Sequence, residues 1–484
     1  MGKLDHLKPE RVFYYFEELT KIPHGSGNHA AICKYVADFA KANNLEYTQD
    51  ALGNTLIVKN ASAGYESSDT VMLQGHLDMV CEKNFENAAK FDFKKDPLKL
   101  AVMDDYVFAR GTTLGGDDGI AVAMILAILA DDSLKHPPIE AVFTADEEIG
   151  MLGASALDMS ILKGRRMINI DNELEGEFIT SNAGGRKVTC SVPVRYTEKS
   201  GIKYDIVICG LQGGHSGTEI DKYRGNANLL MGRLLHFIGK GVKYELAYLK
   251  GGLQDNAIPR ESKAQVIVSE KDTARLEELI KEFEDTLLKE YRTVERNLMI
   301  YCENKGKNTL NVLSPKTKER IVFLLMTMPD GIHKMSPDTE NLVQTSSNVG
   351  IMRLDENNFE LIASLRSSVS SEKEALSDKI QFLTETIGGT FSTEGDYPAW
   401  EYQEDSPLRD LMFDCYQECL SKNPRMVGIH AGLECGLFFQ RIPDIDIVSF
   451  GPTIEDIHTP KEKLSIDSVA RMYSFLVYVL ENCK

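Results

Sequence analysis

Apolar residues recur at two spacings along the chain, and the places where one spacing gives way to the other divide it. Val12-Phe13, Phe16 and Leu19 share a helical face and 28–42 repeats that spacing, so two amphipathic helices are predicted at the start. Short β-rich runs follow at 54–59 and 70–75, bounded by Gly, Asn and Ser. The stretch 120–130 is apolar throughout and reads as a buried helix, and strands are expected at 139–145 and 166–170. Polar residues stand where these runs stop: His76-Leu-Asp78, Asp146-Glu147-Glu148 and Asp171. In open α/β sheets, ligands bind outside the carboxyl ends of the strands.

Near residue 187 the pattern changes to alternating strands and longer helices. Strands are predicted at 187–195, 204–211, 263–270 and 297–303, with helices at 226–239 and 273–291 between them, close to a βαββαβ order. The same order is expected to return loosely in 320–395, with strands at 321–326, 349–354 and 359–366 and a helix at 371–387. From Pro407 the first style resumes, with a helix to Leu420, the Gly-rich 428–436, a strand at 445–450 and a helix at 466–483. The division expected is therefore 1–186, an inserted domain of two similar halves at 187–398, and 399–484.

A chain of 484 residues is too long for one ordinary core, which agrees with that division. Its net charge of −19 argues against a general nucleic-acid binder, which needs a basic stripe. The nine cysteines form no Cys-x-x-Cys pair, so neither a disulfide framework nor a thiolate zinc site is expected, and a reducing, cytoplasmic compartment fits. The first residues carry no apolar signal region, and His6 stands where a myristoylation signal wants Ser or Thr. The apolar run 120–130 is too short to span a bilayer, so no membrane partner is expected.

The chemistry centres on Gly115-Gly-Asp117-Asp118-Gly119, ahead of the buried helix. Adjacent carboxylates on a glycine-flanked turn either cap a helix or receive a cation. His76 and Asp78, two apart on an extended segment, share a face, so one can bind a metal while the other orients its imidazole. Glu147 and Glu148 diverge at a strand's end, so that one can ligate and the other can face a metal-bound water. Asp171 offers another ligand or forms a turn, and His458 lies on a loop before the last helix. Two imidazoles with three carboxylates, one of them shared, suit a pair of zinc ions better than calcium.

The order His76-x-Asp78, Asp117, Glu147-Glu148, Asp171, His458 resembles the dinuclear zinc peptidase family that includes peptidase T, carboxypeptidase G and aminoacylase. Within it, Gln74–Cys81, Ile429–Leu437 and Gly451-Pro-Thr453 are similar to the aminoacyl-histidine (Xaa-His) dipeptidase subgroup. The resemblance implies an α/β catalytic domain, its mixed sheet flanked by helices, with an inserted α+β lid. It implies two Zn2+ per chain, with Mn2+ or Co2+ as substitutes. Asp117 would bridge them, His76 and Asp171 would complete one site, and Glu148 and His458 the other. Glu147 would be the general base, Asp78 the support for His76, and Asp117-Asp118 a cis peptide. Gly119 departs from many relatives, which carry Lys there, though the dipeptidase subgroup tolerates glycine.

The implied reaction is hydrolysis of dipeptides, β-alanyl-histidine included, by a metal-bridging hydroxide whose proton Glu147 takes. In the lid, Gly213-Gly-His215-Ser-Gly217 resembles a motif whose histidine reaches the reacting centre, often from a partner subunit; that would suit a homodimer through the lid, whereas a duplicated lid could complete each site within one chain. Asn256 and Arg366 are similar to residues that hold the substrate's carboxylate, and Gly432 would present its backbone to the small peptide substrate. An N-acyl amino-acid deacylase or carboxypeptidase would use the same metal chemistry, and a non-catalytic binding module would be expected to have lost it.

Overall fold

The computed structural model describes residues 2–87 and 90–484. It divides into two units: one up to Asn182 with Trp400–Gly428 and Leu433–Lys484, the other Ala183–Ala399 with Ile429–Gly432. Thus the second unit also takes four residues from the Gly-rich stretch, which the hydrophobic pattern assigned to 399–484.

In the first unit, eight strands form a mixed sheet in the order Glu46–Gln49, Thr55–Lys59, Ile139–Thr144, Val71–His76, Arg166–Asn169, Asp446–Ser449, Glu177–Asn182, Arg425–Ile429. Its middle is parallel: Val71–His76 lies between Ile139–Thr144 and Arg166–Asn169, which pairs in turn with Asp446–Ser449. The first two of these strands are buried at every position, as befits parallel strands covered on both faces. Helix Gly116–Leu129 is buried from Ile120 onward, which its all-apolar sequence requires. Its C-terminal carbonyls are capped by the buried Lys59, whose Nζ donates to Leu129 and Asp131 at 2.9 Å each. Phe178 packs against Tyr416, Phe450 and Phe475, which joins the early and late chain segments in one core.

The second unit carries a nine-stranded sheet, its main path running Met299–Leu313, Tyr196–Cys209, Ser262–Val268, Tyr244–Gly251, Val343–Leu354, Asn358–Ser367, Gly184–Pro193, Thr390–Tyr397. Helices Ala227–Gly239, Thr273–Glu290, Pro315–Thr327 and Ser370–Thr386 bury their apolar faces in its core. One assignment is corrected: 321–326 is helix, not strand. Ser314 caps Pro315–Thr327 by accepting from the Thr317 N–H, Pro315 takes the first turn, and Ile321, Leu324 and Leu325 are buried at helical spacing. Among the described residues, no helix is long and apolar enough to cross a membrane.

Candidate metal centre

The parallel strands deliver the first donors. His76 closes Val71–His76, and its Nε2 lies 3.1 Å from Asp117 Oδ1. The other ring nitrogen, Nδ1, donates to the Asp78 carbonyl at 3.0 Å, which leaves Nε2 as the lone-pair side. Asp78 is buried, and beyond supporting His76 it organises the next strand end. Its Oδ1 accepts from the Glu147 N–H at 2.9 Å, and its Oδ2 from Ser26 Oγ at 2.7 Å and the Glu148 N–H at 3.3 Å. Burial opposes its ionisation, but the hydrogen bond and charge of His76 prevail and bring its pKa to about 2.

Asp117 sits between a left-handed Gly115 and the buried helix, its peptide to Asp118 is cis, and neither aspartate has helical dihedrals. Gly75 lets this turn approach the strand: a Cβ there would stand 2.7 Å from Asp118 Oδ2, which accepts the His76 N–H at 3.0 Å. The two oxygens of Asp117 face different imidazoles. Oδ1 faces His76, and Oδ2 faces His458 Nε2 at 3.1 Å, which also lies 2.9 Å from Glu148 Oε1.

Three groups of ligand atoms lie within 4.8 Å of one another: His76, Asp117 and Asp171; Asp117, Glu148 and His458; and His76, Glu147 and Glu148. Tetrahedral zinc with bonds of about 2.0 Å would hold its ligand atoms about 3.3 Å apart, close to the separations here. The five donors therefore fit a cation pair that shares Asp117. Distance alone leaves Glu147 as either ligand or base, since it stands within one group.

Charge points the same way. Burial raises Asp171 well above the carboxylate range, and raises Glu147 to about 8, with Glu434, Glu148 and Asp117 adding repulsion. Glu173, also buried, is raised to about 7. Asp117 is held low instead, the hydrogen bonds from His458 and His76 outweighing its burial, while the Asp117 and Glu148 carboxylates lift His458 to about 10. So many desolvated carboxylates around two imidazoles could hold cations.

The lid residues gather in the second unit. His215 pairs with Ala257 in a short antiparallel ladder, which places Asn256 beside it, and the Asn256 carbonyl accepts from the Ser216 N–H at 2.8 Å. His215 Nδ1 accepts from the N–H groups of Gly217 and Thr218 at 3.3 and 3.2 Å, so the neutral ring carries its proton on Nε2. A Cβ on Gly217 would meet the His430 carbonyl at 2.6 Å, His215 Cε1 at 3.0 Å and Arg366 Nε at 3.2 Å, so two side chains and the His430 backbone converge there. Arg366 is 7% exposed and donates to Tyr397 Oη at 2.9 Å, yet its Nε has no partner and it has no carboxylate partner among the described residues. Burial and then the charge of Arg366 lower His215, and push His430 down to about 3, so both imidazoles are neutral. Gly432 ends the segment that carries His430.

Several of these residues lay outside the sequence reasoning. His430, whose Nε2 meets Ser346 Oγ at 2.7 Å, sits in a stretch noted for its glycines and its likeness to the dipeptidase subgroup, with no role read for the histidine. Tyr397 had no signal. Glu462 accepts from the turn that carries Asp117, but between Lys461 and Lys463 it looks like one charge of a solvated run.

Comparison with known proteins agrees with this geometry. The chain is 36% identical over 483 residues to the cytosol non-specific dipeptidase of Escherichia coli K12, covering 99% of each. It superposes on the aminoacylhistidine dipeptidase of Vibrio alginolyticus with a TM-score of 0.91 and 34% identity, covering 99% of this chain and 98% of that one. The aminopeptidase PepT of Bacillus cereus shares the fold alone, with a TM-score of 0.57 at 16% identity over 99% of each chain. The profile of Peptidase family M20/M25/M40 matches residues 72–482, and the chain belongs to that family.

Proposed function

We propose that this peptidase is a two-zinc dipeptidase that cleaves free-amine dipeptides, Xaa-His peptides such as β-alanyl-histidine among them, in the cytoplasm. The observation that carries the proposal is Asp117, each of whose oxygens faces a different imidazole at 3.1 Å. The names of the Escherichia coli and Vibrio alginolyticus relatives support dipeptides as the substrate class, and the first supports a cytosolic location. His76, Asp117 and Asp171 would hold one ion, and Asp117, Glu148 and His458 the other. Nitrogen and carboxylate donors favour zinc and admit manganese or cobalt.

When bound, the ions supply Lewis acidity, making a water more acidic and polarising the scissile carbonyl. The chain's own residues do the rest. Glu147, whose burial raises its proton affinity, takes a proton from the attacking water and returns it to the leaving amine. Asp78 fixes the backbone of both glutamates and the tautomer of His76. His215 Nε2–H donates to the developing oxyanion, Arg366 binds the substrate carboxylate with its guanidinium fork, and Asn256 and Gly432 contribute polar contacts. His215 and Arg366 lie close to each other in one unit, so they would act on the same bound substrate. Homodimerisation through the lid is a separate proposal, supported by the edge strands Met299–Leu313 and Thr390–Tyr397 and tested by sedimentation.

The test is release of amino acids from β-alanyl-histidine, Gly-His, Leu-Gly, a tripeptide and N-acetyl-histidine by metal-stripped and zinc-restored protein. Zinc-dependent cleavage confined to the free-amine dipeptides is expected. Cleavage of the acetylated compound alone would make the protein a deacylase, and no cleavage with zinc bound would make it a binding module. Glu147→Ala should abolish turnover while metal content stays at the unsubstituted level; near-normal turnover would remove Glu147 as the base.

A further inference from the structure

Four consecutive backbone N–H groups point at one buried carboxylate. Glu462 Oε2 accepts from Leu114 at 2.7 Å and Gly115 at 3.1 Å, and Oε1 from Gly116 at 2.7 Å and, more weakly, Asp117 at 3.4 Å. Glu462 is 3% exposed and has no cationic partner among the described residues, so these N–H groups offset part of the cost of its burial. Glycine at 116 keeps the approach open, because a Cβ there would already stand 3.2 Å from Oε1.

The position of this carboxylate in the chain gives the contact its meaning. Glu462 lies four residues beyond His458, in a loop closed by its own N–H to the Thr459 carbonyl at 3.1 Å. The last of its four donors is Asp117 itself. One side chain thus ties the loop of His458 to the turn of Asp117, and these two residues with Glu148 form one group of ligand atoms. The other group differs: besides Asp117 it uses His76, which closes a strand, and Asp171, two residues beyond one. His458 is exposed and has no strand to hold it.

We infer that Glu462 is a positioning residue for the subsite of Asp117, Glu148 and His458, which it assembles through backbone hydrogen bonds without being a ligand. The inference rests on the metal-pair proposal. Glu462→Gln keeps the size, but its amide NH2 would face N–H donors, so two bonds become repulsive and the loop loosens from the turn. Glu140 provides a control of the same kind. Also buried, it accepts from the N–H groups of Lys163 and Gly164 at the start of the strand that leads to Glu147.

The experiment is zinc competition against a chromophoric chelator with the full, metal-stripped chain, alongside thermal unfolding. The unsubstituted protein should bind in two steps. Glu462→Gln should weaken one step by about tenfold or more and the other by less than about threefold, the scale on which partners of ligands act. Glu140→Gln should move neither step, even if it lowers the unfolding temperature as much. Unchanged steps in Glu462→Gln, or an equal shift of both steps in both variants, would overturn the inference and leave the metal-pair proposal standing. An unsubstituted protein that binds no metal would overturn both. Should Glu462→Gln fail to fold, amide exchange at Leu114, Gly115 and Gly116 of the stripped unsubstituted protein decides. Slow exchange is expected from a turn held before metal arrives, and fast exchange would overturn the inference.

Discussion

The two units concentrate opposite charges in their interiors. Around Asp117 the first unit gathers the partly buried Asp171, Glu147 and Glu148 against two imidazoles, and desolvation pushes Glu147 up to about 8. In the second unit Arg366 is buried with no acidic partner among the described residues, and the imidazoles of His215 and His430 are driven to neutrality beside it. Neither arrangement is self-sufficient, since an isolated buried charge is costly until something of opposite sign meets it. The sign of the surplus identifies the complement: cations for the first cluster, an anionic group such as a peptide carboxylate for the second.

The largest expected effect comes from removing the shared donor. Asp117→Ala should cost both metals more than about a hundredfold in affinity, since altering even a ligand's hydrogen-bond partner costs ten- to a hundredfold. Turnover should vanish with them. Zinc titration against a chelator checks this, and retention of two tight sites would break the contrast between the units.

On the cationic side, His215→Ala should lower kcat by about a hundred- to a thousandfold, as loss of one oxyanion donor does. KM and zinc content should change little. A rise in KM at unchanged kcat would instead make His215 a substrate-binding residue. Arg366→Ala should do the reverse, raising KM for a dipeptide by about thirtyfold or more with the metals in place. Arg366→Lys should not restore it, because an ammonium cannot offer the fork. If the alanine variant kept a normal KM, the carboxylate would be held elsewhere.

How much of this could be read from residues alone follows the same divide. His76, Glu148 and Asp171 were legible because each ends or closely follows an apolar β-run, so strand pattern and chemistry coincide in a few residues. His458 stood out only as one of five donors taken together, since a loop histidine has no periodicity to mark it. The lid was harder. Residues 321–326 are apolar enough to pass for a strand, and the decisive signs, Ser314 and Pro315 ahead of a helical spacing, lie outside that window. The long ribbon of Tyr196–Cys209 and Met299–Leu313 is mostly solvent-facing near its tip, so hydrophobic alternation marked only part of each strand. Glu462 and Tyr397 act through backbone N–H groups and a guanidinium distant in sequence, and no local pattern records such partners.

The smallest effect sharpens the comparison from inside the second unit, where Asp330 is a carboxylate with no cationic partner among the described residues. Its Oδ1 accepts from the Val349 N–H at 2.8 Å and Asn226 Nδ2 at 2.9 Å, but burial prevails and pushes it up to about 7. In the unfolded chain an aspartate titrates near about 3.9. Between these values the folded protein holds a proton that the unfolded chain has lost, so this group's contribution to stability is full below about pH 4 and declines as pH rises through 7. Asp330→Asn keeps the accepting oxygen and removes the titration. Because Asp330 is only partly buried, the gain at pH 8 relative to pH 5 should be about 1–2 kcal/mol, smaller than the full shift allows. Urea unfolding of both proteins at the two pH values, with chelator present so that metal binding adds no pH dependence of its own, measures that difference. An equal loss of stability at both values would mean that Asp330 does not change charge between pH 5 and 8, and a midpoint near 7 for this carboxylate would be wrong.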